Sequence, residues 1–266
     1  MEELILIKLG GSVITDKTKS FKANEKVIGR LGREIVSGQN KYKGKIIIGH
    51  GSGSFGHTLG YKYKTQEGII SEKSVRGAVL VEDAALKLNR IVVKNLLKVG
   101  LPVFSLSPAS FVKAKNKKLM NVNADSIVKA LNINMVPLVY GDIVFDSTLG
   151  FTIFSTEIVF EALITKLYKS YKILKIIHAS GTNGVYGEGN NVIPLITTKT
   201  FKRFKKLIFG ATSQDVTGGM LHKVVKSLQL AKKIRIETVI LNGNISGELT
   251  KAILGMKVNG TLIRRD

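Results

Sequence analysis

Three glycine-rich runs in this chain carry the residue types that a phosphate group needs. Gly49-His50-Gly51-Ser52-Gly53-Ser54-Phe55-Gly56-His57 follows Lys45-Ile46-Ile47-Ile48, a β-branched run that reads as a buried strand. Lys8-Leu9-Gly10-Gly11-Ser12 follows Leu4-Ile5-Leu6-Ile7 in the same way. Bare N–H groups at a strand end form a cradle for an oxyanion, and Lys8 adds a cation at its edge. His57 closes the first run with a side chain that can donate a hydrogen bond or hold a proton near neutral pH. The third run, Asp215-Val216-Thr217-Gly218-Gly219-Met220-Leu221-His222-Lys223, reads as a capped helix start with Lys223 in its first turns. A solvated surface turn is the competing reading of any one run. None of them is a Walker A loop or a G-x-G-x-x-G fingerprint. Three together, two with a nearby lysine, point to phosphoryl transfer.

The order K-L-G-G-S, H-G-S-G-S-F-G-H, G-D-I-V at Gly141–Val144 and D-V-T-G-G-M-x-x-K resembles the amino acid kinase superfamily. Within it, S-F-G-H and D-V-T-G-G-M resemble the isopentenyl phosphate kinases, from about Leu4 to the end of the chain. The resemblance implies an ATP-dependent kinase that converts isopentenyl phosphate to isopentenyl diphosphate in isoprenoid biosynthesis. It implies a catalytic set of Lys8, Lys17, His57 and Glu157. Lys8 would stabilise the migrating phosphoryl group, and Lys17 would contact it or the nucleotide phosphates. ATP would be held by Lys8, Gly10, Gly11, Ser12, Gly53, Ser180, Tyr186, Gly218 and Lys223. The acceptor phosphate would be held by Ser52, Gly53, His57 and Thr156. Mg²⁺ is expected with ATP, held largely by phosphates, and no residue is assigned as a metal ligand. A homodimer is expected, with ATP and a small phosphate acceptor as partners.

Two stretches depart from the family pattern. Where isopentenyl phosphate kinases usually carry Ser-Gly-Asp-Asp, this chain reads Phe154-Ser155-Thr156-Glu157-Ile158-Val159, one residue shorter. Glu157 is the natural replacement for the acid that orders the lysines there. Where the family often has Thr-Asp-Val-Asp-Gly-Val-Tyr, Ser180-Gly181-Thr182-Asn183-Gly184-Val185-Tyr186 lacks both carboxylates. These changes keep two alternatives open: a kinase of another phosphate, phosphonate or carboxylate acceptor (fosfomycin kinases share the terminal histidine), and a nucleotide-binding sensor without catalysis. Asp125 reads as a helix-start residue and His50 as structural, while His178 and His222 carry no argument beyond packing or exposure.

The elements that must position these residues alternate. Strands are expected at Leu4–Leu9, Lys45–Ile48, Leu101–Ser105, Val136–Tyr140, Ile173–His178 and Thr238–Asn242, with helices near Asn24–Ser37, Gly77–Val99 and Ala124–Asn132. Ala84, Ala85, Leu88, Ile91, Val92, Asn95 and Leu96 have helical spacing and face a core. The pattern predicts an α/β fold, a mainly parallel central sheet sandwiched by helices. Ligands of such sheets bind beyond the carboxyl ends of the strands, where Lys8, the Gly51–His57 loop and Gly141-Asp142 all fall. One domain over residues 1–266 is expected, with an acceptor-binding lobe over about 1–172 and a nucleotide-binding lobe over about 173–266.

The chain has 266 residues, 44% hydrophobic, enough for a substantial core. No apolar stretch reaches the roughly 18 residues of a membrane span, and a strand begins too near Met1 for a signal peptide to be expected. The absence of cysteine excludes disulfides, thiolate metal sites and cysteine nucleophiles, and fits a cytoplasmic protein. The 41 basic against 19 acidic residues leave a net charge of +22. The lysines are dispersed and no aromatic-rich basic strand accompanies them, so nucleic acid is not the expected partner. Anionic substrates would gain from the positive field.

Overall fold

A computed structural model describes residues 1–16, 18–210 and 219–266. The chain opens with β1 (Glu2–Leu9), α1 (Gly11–Ile14), α2 (Glu25–Lys41), β2 (Lys45–His50), α3 (Gly53–Lys62) and α4 (Lys73–Lys98). The middle runs through β3 (Val103–Ser105), α5 (Pro108–Phe111), β4 (Val112–Lys115), β5 (Lys118–Val122), α6 (Asp125–Asn132), β6 (Val136–Tyr140), β7 (Asp142–Asp146) and β8 (Gly150–Phe154). Then come α7 (Thr156–Leu167), β9 (Tyr171–Ser180), β10 (Leu195–Thr197), α8 (Phe201–Gly210), α9 (Gly219–Ile234), β11 (Glu237–Asn242), α10 (Glu248–Ile253) and β12 (Gly260–Arg264).

Among the described residues, eight strands form the central sheet in the order β10-β12-β11-β9-β1-β2-β6-β3. Every pairing in it is parallel except β11 with β12. The expected α/β sandwich is the observed one. β1 lies deep in the sheet, so its residues are apolar on both faces, as a doubly covered strand requires. Ile5, Ile7 and Leu9 join one core with Leu31 and Ile35 of α2 and Leu88 and Leu96 of α4. Leu4 and Leu6 join the other with Phe160, Leu163 and Leu167 of α7. Parity therefore sends Lys8 to the α7 face.

The register continues this row across the sheet. Lys8 lies opposite Gly49 of β2 and His178 of β9, and His178 lies opposite Ile240 of β11. The next row, with Leu9 opposite His50 and Ala179, faces α4. His50 is accordingly buried at the strand end, 3.1 Å from Asn89 Nδ2 and stacked on Tyr140, and burial pushes its imidazole down to about 4. That is the structural position expected for it.

A second sheet, in the order β5-β4-β7-β8, was not anticipated from the sequence. Its lysine-rich hairpin, Lys113–Lys118, reads as solvated chain because its alternate residues are exposed. Val112, Ala114 and Val122 turn into the core, with Leu119 packed against it. Asp146 ties the sheet's turns together, accepting from the backbone N–H groups of Asn116, Lys117, Thr148 and Leu149. No described helix is long and apolar enough to cross a membrane.

Candidate active site

The first two glycine runs meet at the carboxyl ends of β1 and β2. Gly51 N donates to Leu9 O at 3.1 Å and Gly10 N to Ala179 O at 2.8 Å, so each run continues the sheet. Thr15 Oγ1 donates to Gly11 O at 2.7 Å and accepts from Ser54 N at 3.1 Å, clasping one loop to the other. A Cβ on Gly11 would lie 2.7 Å from Gly53 Cα, and Gly53 itself has φ of +49°. Glycine is required at both positions, at one by close approach and at the other by backbone handedness. Ser52 precedes α3 and its carbonyl accepts from Phe55 N at 3.0 Å.

Lys8 reaches from this junction to α7. Ser155 caps that helix and accepts from Ile158 N, which places Glu157 in the first turn, where the helix dipole favours a carboxylate. The Lys8 ammonium donates to Glu157 Oε1, and the two side chains are only 12% and 21% exposed. Burial lowers the Lys8 pKa, Glu157 opposes that shift, and the charge of Lys223 adds to it. Burial also pushes the Glu157 carboxyl up, but the Lys8 and Lys223 charges outweigh it and hold the group well below the usual carboxylate range. Glu157 is thus an ionised counter-charge in the middle of the site. Lys223 of α9 lines a cavity with Glu157 and His178, so α7, β9 and α9 each contribute a polar group to one place, and Lys8 of β1 joins them through Glu157.

The nucleotide-side residues gather on the adjacent rim. Ser12 Oγ would be 3.0 Å from a Cβ on Gly181, so the loop after β9 abuts the first glycine run. Within that loop, Ser180 Oγ donates to Leu241 O at 3.2 Å, Asn242 Nδ2 donates to Asn183 Oδ1 at 2.8 Å, and Asn183 N donates to the Tyr186 hydroxyl at 3.3 Å. Amides and hydroxyls therefore close the loop in which the family pattern has two carboxylates.

Not every expected residue lies in this group. Thr156 is buried, and its hydroxyl donates to His50 O at 2.6 Å, pinning α7 to β2. Lys17 and Gly218 lie outside the described residues, as does the His57 side chain, whose backbone is part of α3. On either side of Lys17, Asp16 N donates to Lys22 O and Phe21 N to Ser54 O, folding the flanking chain against the start of α3. Asp125 stands exposed in the first turn of α6, as expected of a helix-start residue.

His178 is what reading the sequence missed. It is buried beside Lys8 and Glu157, and burial pushes its imidazole down to about 3. Its signal was available in the strand register: two residues before the end of β9, on a strand paired with β1, it must share a face with Lys8. Asp142 is likewise buried, with Oδ2 unpartnered among the described residues, and burial raises its carboxyl to about 8. Among the described residues, no three His, Asp or Glu side chains cluster as metal ligands.

Comparison with known proteins agrees with this architecture. The model of the amino acid kinase family matches residues 3–242. The isopentenyl phosphate kinase of Methanocaldococcus jannaschii is 31% identical, covering 98% of each chain. That of Methanothermobacter thermautotrophicus is 32% identical, again over 98% of both. A solved isopentenyl phosphate kinase superposes with a TM-score of 0.80 at 29% identity, covering 98% of this chain and 100% of its own. The chain belongs to the amino acid kinase family, on the branch of the isopentenyl phosphate kinases.

Proposed function

We propose that this chain transfers the γ-phosphoryl group of ATP to isopentenyl phosphate, giving isopentenyl diphosphate and ADP. One observation carries the mechanism: Lys8, buried and paired with Glu157, stands where two interlocked glycine loops end the central strands. An oxygen of the acceptor phosphate attacks the γ-phosphorus, the bond to the β–γ bridging oxygen breaks, and ADP leaves with the electron pair. The acceptor is already an anion, so no strong base is needed, and the task is to position two anions and spread the charge between them.

Lys8 and Lys223 supply positive charge on the two sides of the transferring group, and Glu157 keeps their ammonium groups at fixed positions. Gly11 and Ser12 present backbone N–H groups to the nucleotide phosphates, and Gly10, whose own N–H is taken by Ala179 O, carries the chain into that turn without a side chain. Ser180 and Tyr186 shape the nucleotide rim, and Gly218 contributes to ATP binding. Ser52, Gly53 and His57 hold the acceptor phosphate at the start of α3, and Lys17 contributes a positive charge to the phosphates. The described side chains form no carboxylate cage, so Mg²⁺ would arrive on the ATP phosphates and no step is assigned to it. The acceptor lobe is residues 1–172 and the nucleotide lobe 173–266, in a cytoplasmic homodimer.

An acceptor panel tests the reading. Purified protein with ATP and Mg²⁺ is expected to release ADP with isopentenyl phosphate far faster than with fosfomycin, acetylglutamate or glutamate. Equal or faster release with one of the others would transfer the assignment to that acceptor.

A further inference from the structure

His178 stands in the row of Lys8 and Gly49 on the face covered by α7, in the interior of the sheet. It is 6% exposed, and its Nδ1 has no hydrogen-bond partner among the described residues. An orphaned ring nitrogen this deep costs free energy unless something meets it. The groups around it come from three elements: Lys8 from β1, Glu157 and Glu161 from α7, and Lys223, Lys226 and Ser227 from α9. Glu161 and Lys226 pair with each other at 3.2 Å, and Lys8 occupies Oε1 of Glu157. Between α7, β9 and α9, Glu157, Glu161, His178, Lys223, Lys226 and Ser227 line a partly open cavity of about 30 Å³. A water molecule needs roughly 10–15 Å³ of such space and two or more polar partners, and this cavity offers both.

We propose that His178 is a positioning residue of the transfer site, coupled to the Glu157 carboxylate through an ordered water in the cavity between α7, β9 and α9. The water donates to Glu157 and meets His178 Nδ1, so the carboxylate is fixed from beneath while Lys8 fixes it from the side. Lys8 then has one orientation, and its ammonium stays aimed at the migrating phosphoryl group. Charge explains why a histidine serves here. Burial, reinforced by Lys8 and Lys223, outweighs the opposing pull of the Glu157 charge and keeps the ring neutral through the working pH range, so it adds a polar contact without a third cation. Lysine or arginine at this position would add that cation, and an apolar side chain would leave the water without its partner.

The inference rests on the kinase reading, and its test separates the two. Gln and Met have similar length and volume, and only Gln offers polar atoms. His178→Gln is expected to keep kcat within about threefold of wild type, whereas His178→Met loses about 10- to 10²-fold, the scale of a small misplacement at a reacting centre. KM for ATP and for the acceptor should change less than about twofold in both variants, and both should melt within a few degrees of wild type. Equal kcat for the two variants would reduce His178 to a space-filling residue and overturn the proposal. A crystal structure of the wild-type protein gives a readout independent of turnover: density for a water within hydrogen-bond distance of Nδ1 and Glu157 is expected, and a dry cavity overturns the proposal whatever the kinetics. An inactive wild type with that water in place would instead count against the kinase reading alone.

Discussion

Lys8 and Glu157 define the chemistry at the level of single residues, because each is buried enough that the other must answer its charge. Removing the carboxylate leaves Lys8 facing Lys223 with nothing between them, a larger penalty in a partly desolvated cleft than at a surface. Glu157→Ala is therefore expected to lose about 10²-fold or more in kcat, with Glu157→Asp keeping part of it, as steady-state kinetics would show. Wild-type turnover in Glu157→Ala would reduce the ion pair to a structural contact. Glu157 was legible in the sequence because it stands where the family pattern carries an acid. His178 was not, since a histidine near the end of an apolar strand has no motif of its own. Its meaning comes from the strand beside it, and a linear reading leaves strand order open.

At the level of elements, the site is a joint between strands that end together. The alternation of apolar runs with helical spacing made six of the central sheet's eight strands legible, all but β10 and β12, along with the helices at 24–37, 77–99 and 124–132. The β4–β5 pairing was not, because short, half-exposed strands rich in lysine have little periodicity to read, nor was β7–β8, whose two mostly buried five-residue strands show no clean alternation. The contact between the glycine loops was also hidden: composition advertises two cradles, but only packing shows that Gly11 lies against Gly53. That contact makes a sharp prediction. Gly11→Ala forces a methyl group into the backbone of the other loop, where no flexible side chain can move aside. Overpacking of about 1–3 kcal/mol is expected, which lowers the melting temperature by about 2–12 °C in a chain of this size. Activity should fall below detection in protein that remains folded. An alanine variant with wild-type melting and turnover would show that the loops are not in contact in solution.

Over the whole molecule, two electrostatic features stand apart from the reaction. The charge of +22 surrounds a site built for two anions, a field that attracts both substrates. Asp142 runs the other way, a carboxyl kept neutral by burial, with its pKa raised from 3.8 to about 8. Between those values the folded state binds a proton that the unfolded chain releases. Its contribution to stability is thus complete below pH 4, declines as pH rises, and is gone above about pH 8. Asp142→Asn keeps a neutral group of the same shape at every pH. Denaturant titrations should show wild type losing stability relative to Asp142→Asn across that window and running parallel to it above. A constant difference from pH 4 to 9 would mean that Asp142 is ionised in the fold. The central claim, that Lys8 at this strand end directs a phosphoryl group from ATP onto isopentenyl phosphate, is tested most directly by ³¹P NMR of the reaction. Wild type is expected to convert the acceptor's monophosphate signal into the two coupled signals of a diphosphate as ADP appears. Lys8→Met, folded and still binding ATP, should leave the monophosphate signal unchanged. ATP binding by the wild type without any diphosphate formed, or diphosphate formed at the same rate by Lys8→Met, would contradict it.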